Sequence, residues 1–296
     1  TLAIDGMGMT NVFLLIIFMI GWSFSRSSQI LFSQNYGAKN YKNIGAVMNN
    51  SLMILIPIGF LLFFLLHFAS HFLLGFIIDN VKIKTIAVEI CQIRAYGFPI
   101  LMATMIFSSF FTGIGNTKVL IYSQGIAAVS NIILNYILVF GKFGIAPLGY
   151  RGSAYATVIS EILSLFVLLF YLWQNKEMIR KYYLFYGQKF SVFLAREIGR
   201  LAVPMMMLHA FSLGSWIYFF SLIEKMGEKE LAISLVLKQL FTAITIPGFC
   251  LGNTSSTLVG QLVGSRKVNL IIPTVLKVIK INYVILVSLA ILTYIY

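Results

Sequence analysis

Glu161 is the residue whose chemistry differs most from its surroundings. It lies in the middle of an apolar run, residues 152–173. A carboxylate charge costs several kcal/mol at membrane depth, so an ionisable group there is a functional candidate by default. Thr157 precedes it by four residues, which places both side chains on one helical face. A carboxyl so placed can carry a proton, or it can pair with Arg26 or Arg94 as a structural lock. Asn131 and Asn135 share the same spacing on another run. A buried carboxamide offers oxygen to Na⁺ or a hydrogen bond to a carboxylate; its plainer role is an amide bond between helices. Lys238 sits one turn inside a third run. Snorkelling to the interface is its expected fate, with pairing to an acid or repelling a cation as alternatives. His209 could titrate near neutral pH, yet a lone His on an apolar helix is usually a packing residue.

The elements that must position these groups are spanning helices. Of 296 residues, 59% are hydrophobic and 10% charged, against about 25% charged in a soluble domain. Crossing a bilayer takes about 20 mostly apolar residues. Eight runs qualify: 10–33, 46–68, 84–112, 119–140, 152–173, 201–223, 232–262 and 270–295. The third and seventh exceed one span and hold Pro99 and Pro247, so tilt or a kink is expected. Cys91 and Cys250, far apart in apolar sequence, read as small buried hydrophobes. The +13 net charge points to basic loops facing anionic lipid rather than to nucleic acid. Loops 34–45, 113–118, 174–200 and 264–268 carry eleven cations and the alternate loops six, so the first set is expected on the cytoplasmic side. The basic-aromatic run Arg180 to Tyr186 could lie at the membrane surface.

The chain also repeats itself. Gly21, Leu31, Gln34 and Gly37 recur 227 residues later as Gly248, Leu258, Gln261 and Gly264. A long repeat in a membrane protein implies two similar bundles, the build of many transporters. Gln34 and Gln261, beside glycines at helix ends, read as cap and turn chemistry. There is no phosphate-binding glycine loop, no His/Cys cluster at metal spacing and no Ser/His/Asp grouping outside the spans. The chain therefore reads as a non-enzyme without cofactors, drawing energy from an ion gradient.

Three sets of residues together resemble the multidrug and toxic compound extrusion (MATE) family of cation-coupled antiporters. They are the paired Gln-x-x-Gly signatures, Gly113 to Lys118 followed by Asn131 to Gly141, and Pro147 to Thr157. The resemblance implies an all-α polytopic fold of two pseudo-repeated bundles, with about eight of roughly twelve spans present and a fragment of a longer frame expected. It divides the chain into a first bundle at 1–175, a cytoplasmic loop at 176–198 and the start of a second bundle at 199–296. It also implies a cation site built from Asn131 and Asn135, the Thr157 hydroxyl and the Ser153 carbonyl, to which Glu161 is added. Many relatives have Asp at the position of Asn135, which weakens the case for tight Na⁺ binding here. Met205, Met206, Trp216, Tyr218 and Phe219 are the expected substrate walls; for each singly, packing or lipid contact is the plainer role.

The function so implied is multidrug efflux by alternating access, exchanging H⁺ or Na⁺ for small organic cations or drugs. The setting would be a bacterial inner membrane, with the chain a monomer in the bilayer. A lipid-linked oligosaccharide flippase of the same superfamily would need more cavity cations than Arg26, Arg94 and Lys238. A non-transporting scaffold has no use for the repeat.

Overall fold

The computed structural model describes residues 2–75, 78, 80–187 and 189–295. In lipid every backbone N–H and C=O must be satisfied within the chain, which leaves apolar runs of this length the helix. Eleven helices follow in order among the described residues: α1 (Leu2–Gly37), α2 (Tyr41–Phe68), α3 (Ser70–Gly75), α4 (Val81–Ala95), α5 (Phe98–Gly113), α6 (Lys118–Phe140), α7 (Tyr150–Gln174), α8 (Lys176–Lys181), α9 (Val192–Glu224), α10 (Glu228–Gly264) and α11 (Ile271–Ile295). Seven are long and apolar enough to cross a membrane, and α4 with α5 makes an eighth span, bent by 53°. The bend falls at Tyr96 and Gly97, and Pro99 lies in the first turn of α5, where a missing N–H costs nothing. Pro57, Pro204 and Pro247 stay inside continuous helices. Cys91 is buried as expected, but Cys250, read as buried too, is exposed, because among the described residues nothing packs on its side of α10.

The chain forms two compact units, Thr1–Phe32 with Tyr41–Ala202, and Ser33–Asn40 with Val203–Tyr296. In the first, Ile44, Met48 and Leu55 of α2, Met102, Ile106, Phe110 and Phe111 of α5, and Leu168 and Leu172 of α7 are fully buried. Small hydroxyl residues let the helices approach and then bond across the seams. Ser28 of α1 meets Ser51 of α2 at 2.8 Å, and the Ser25 hydroxyl donates to the Met105 carbonyl at 2.9 Å.

The basic-aromatic run departs from expectation. Tyr182 and Leu184 are buried, and Tyr182 packs edge-on against Tyr41 and Phe110 with ring centroids 5.5 and 5.6 Å apart. The run is thus docked on α2 and α5 through Tyr182, while Arg180, Lys181, Tyr183, Phe185 and Tyr186 are exposed. Gly45 makes room for it, since a side chain there would strike the Tyr182 and Tyr183 carbonyls. Further on, the buried Asn50 accepts the Ser191 N–H at 2.8 Å and anchors the loop a second time.

In the second unit α10 packs on α11, and the end of α1 crosses the end of α10. A side chain at Gly37 would overlap the Gln261 carbonyl, one at Gly264 the Gln34 carbonyl, and one at Gly260 the Ser33 hydroxyl. Both repeat signatures thus form one crossing that glycine alone permits.

Candidate functional site

α6 and α7 run antiparallel and touch closely. Ser123 faces Ser164 at 2.8 Å, Ser130 faces Ser160 at 3.3 Å, and Gly152 lies against the Leu138 backbone with no room for a Cβ. Gly141, in the left-handed region at φ +68°, ends α6 and turns the chain toward α7. Each helix carries a polar stripe: Gln124, Asn131 and Asn135 on α6, and Ser153, Thr157, Glu161 and Ser164 on α7. One or two helical turns separate neighbours along each stripe, so each stripe faces one way.

Two cavities of about 350 Å³ each lie along these stripes within the first unit. Asn131, Thr157 and Glu161 line one, together with Gln124, Thr104, Ser160 and Ser164. Asn135 and Ser153 line the other, with Met7 and Tyr150. The five expected cation-site residues therefore divide three and two. Asn135 links the groups: its Nδ2 donates to the Asn131 Oδ1 at 3.0 Å and the Asn131 carbonyl at 2.9 Å. The Thr157 hydroxyl donates to the Ser153 carbonyl at 3.0 Å, so its oxygen keeps only lone pairs to offer. Carboxylate, hydroxyl and amide oxygens make a set that suits a proton or a hard cation.

Glu161 finds its partner in Arg94, whose Nη2 lies 3.4 Å from Oε1; the two side chains are 24% and 18% exposed, Arg94 first. Arg94 Nε is buried with no hydrogen-bond partner. Arg26, the other partner considered, bonds Gln29 at 2.7 Å and lies over the Trp22 ring. A side chain at Gly97 would collide with the Glu161 carboxylate, so the carboxylate rests against the break between α4 and α5. Sequence reasoning missed a second acid cluster: Arg151 grips Glu89 through two bonds of 2.8 Å and the Tyr150 hydroxyl adds a third at 2.6 Å. Sixty-odd residues separate these partners, so no local spacing announces them. Gln124 could have been found, being seven residues before Asn131 and thus on its face.

In the second unit, Trp216 and Phe219 wall a cavity of about 460 Å³ with Ser212 and Ser215. Met205 and Met206 are half-buried and Tyr218 is exposed, and none of the three lines it. The Lys238 ammonium lies 5.1 Å from the Trp216 ring centroid and 4.7 Å from that of Phe220. Lys238, expected to snorkel, thus makes a cation–π contact with ring faces of the neighbouring helix. A larger cavity of about 630 Å³ between α10 and α11, lined by Thr242, Thr245, Gly248 and Asn282, was not foreseen. The Asn282 Oδ1 is buried there without a partner.

Comparison with known proteins agrees with this geometry. The MatE family model matches residues 1–137. The probable multidrug resistance protein YoeA of Bacillus subtilis (strain 168) is 29% identical over 289 residues, 96% of this chain and 61% of that protein. The probable multidrug resistance protein NorM of Thermotoga maritima is 25% identical over 175 residues, 59% of this chain and 38% of that one. The chain thus spans less than two thirds of the length of these relatives. A solved structure described as the outward-facing conformation of a multidrug resistance MATE family transporter of the MOP superfamily superposes with a TM-score of 0.85. It is 18% identical, and the match covers 98% of this chain and 63% of that one. In sequence over residues 1–137, and in fold over nearly its whole length, this chain of several apolar helices is similar to the MatE family and to MATE transporter structures.

Proposed function

We propose that the chain is the larger part of a secondary active transporter that moves organic, drug-like compounds across a bacterial cytoplasmic membrane in exchange for H⁺ or Na⁺. The observation that carries this reading is the polar cavity of the first unit, where Glu161, Thr157 and Asn131 converge inside helices that are otherwise apolar. Such groups are costly in a bilayer and mark ion pathways. The family likeness supports the same reading, since the matched relatives are named multidrug resistance proteins.

Glu161 is the group that takes up the coupling cation, with Thr157 and Asn131 supplying neutral oxygens. Arg94 holds the carboxylate when no cation is present. Uptake of a cation loosens that pair, and coupling follows only because the two access states then bind the cation differently. Asn135 and Ser153 orient Asn131 and Thr157 through the bonds described. The protein acts as a monomer in the lipid bilayer.

The test is dye efflux from everted vesicles of cells producing the intact protein, driven in turn by a proton and a sodium gradient. Glu161→Gln should abolish efflux under whichever gradient drives the wild type, while Asn131→Ala weakens it. Efflux by Glu161→Gln at the wild-type rate would refute Glu161 as the coupling group.

A further inference from the structure

We infer that the basic-aromatic turn after α8 is a binding site for anionic phospholipid, with the rings of Tyr183 and Phe185 set in the lipid and Arg180 and Lys181 holding the phosphate. This goes beyond the transporter reading and does not depend on what the chain carries. The backbone is the first sign. Tyr183 and Phe185 lie in the left-handed region, at φ +51° and +62°, which aromatic residues rarely adopt. Gly187 meets the same demand at φ +62° without a side chain. A turn that only joined two helices would use glycine or asparagine at 183 and 185 as well. Here the strained conformations turn two rings outward, while Tyr182 and Leu184 stay buried.

The level of the turn is the second sign. Tyr182 packs on Tyr41, the first residue of α2, and on Phe110, in the last turn of α5; α7 ends close by in the chain, at Gln174. The turn therefore sits at the ends of spanning helices, where hydrocarbon gives way to headgroups and amphipathic rings gather. The Phe185 ring meets that of Phe107, one turn further into α5, with centroids 6.2 Å apart. It thus points along the helix toward hydrocarbon, and what lies against an outward ring at this depth is lipid.

Charge decides which lipid. The Lys181 ammonium lies 5.1 Å from the Tyr41 ring centroid and 5.3 Å from that of Tyr182, which fixes it at the level of the helix ends. Its side chain is exposed all the same, as is that of Arg180 beside it. Glu177 lies in the first turn of the same short helix, and among the described residues no ion pair joins it to either cation. A guanidinium and an ammonium side by side suit a phosphodiester. A zwitterionic headgroup would bring a third cation to the same place, whereas a lipid of net negative charge, such as phosphatidylglycerol, would not.

The experiment is photocrosslinking of the intact protein, in dodecylmaltoside micelles, to phosphatidylglycerol that carries a diazirine in its headgroup. Adducts are mapped by mass spectrometry after trypsin digestion. The peptide spanning residues 182–189 should carry adduct. Unlabelled phosphatidylglycerol should compete for it about 25-fold better than phosphatidylcholine, at about fivefold per cation. Arg180→Gln, at an exposed position, should lower that preference to about fivefold, and Arg180→Gln with Lys181→Gln should remove it. Tyr183→Gly suits the backbone better and should lower adduct formation several-fold. No adduct on this peptide, equal competition by the two lipids, or a preference that outlasts the loss of both cations would overturn the inference. So would full crosslinking of the Tyr183→Gly protein. Displacement by millimolar inorganic phosphate would make this a free-phosphate site and overturn it as well.

Discussion

Removing the Arg94–Glu161 pair one partner at a time should expose an asymmetry. At 3.4 Å and an effective dielectric of about 20, the bare attraction is about 5 kcal/mol. Most of that is cancelled by the cost of taking both charges out of water, and each side chain keeps about a fifth of its surface exposed, which leaves a net coupling of about 1–3 kcal/mol. Arg94→Met strands a carboxylate, which can escape by binding a proton. Glu161→Met strands a guanidinium, which cannot lose its charge, and whose Nε is already buried without a partner. Glu161→Met should therefore cost more, about 3 kcal/mol, against about 1–2 kcal/mol for Arg94→Met. The double variant should recover part of the sum. Thermal unfolding in detergent, followed by circular dichroism, reads this as a shift of about 2 °C per kcal/mol. Additive single effects within about 0.5 kcal/mol, or Arg94→Met as the costlier change, would refute the reasoning.

Other consequences follow from the packing. Gly37→Ala and Gly264→Ala should each cost about 1–3 kcal/mol, because the obstacle is a backbone carbonyl that no rotamer change can move. Gly125→Ala, on an α6 face with nothing within 4 Å, should instead gain about 0.5–1 kcal/mol; a Tm that falls as far as the Gly37 variant's would undo the argument. Asn50→Leu removes the acceptor of the Ser191 N–H at an otherwise intact site and should cost about 1–3 kcal/mol. Limited proteolysis between residues 182 and 191 should then speed up, and unchanged cleavage would show that the loop is held elsewhere.

Much of this fold is legible in the amino-acid order because lipid imposes one rule on it. Eight apolar runs could only be helices, and eight spans are formed once α4 and α5 are joined. What periodicity does not reveal is which of two equivalent partners a charge chooses. Arg26 and Arg94 were equal candidates for Glu161, and the choice rests on the break at Gly97, which brings α4 against α7. The docking of Tyr182 was hidden for a related reason. A run of bases and aromatics is as well suited to a membrane surface as to a groove, and the vacancy that receives it is a glycine at position 45, far away in the chain. Lys238 read as a snorkelling residue because its distance to the helix end can be counted, whereas the nearness of Trp216 cannot.

The repeat lies between these extremes. That Gln34 and Gly37 recur as Gln261 and Gly264 is visible by inspection, and so is the choice of glycine. Its physical reason needs both copies at once. Each glycine is small because of the carbonyl of the other copy's glutamine, so the pattern is reciprocal: Gly37 to Gln261, Gly264 to Gln34. Reciprocity of this kind is what two related segments produce when they cross near a common two-fold, as each then meets the counterpart of its own neighbour. The Gln34 and Gln261 carbonyls accept the N–H groups of Ala38 and Ser265 that end the two helices, so capping stands, and crossing is the further use of these signatures. A cap needs a glycine only for its own backbone, and neither Gly37 nor Gly264 has a positive φ. Close approach of two helices is therefore the requirement that both copies share, and Gly260, set against the Ser33 hydroxyl, extends the same contact by one turn.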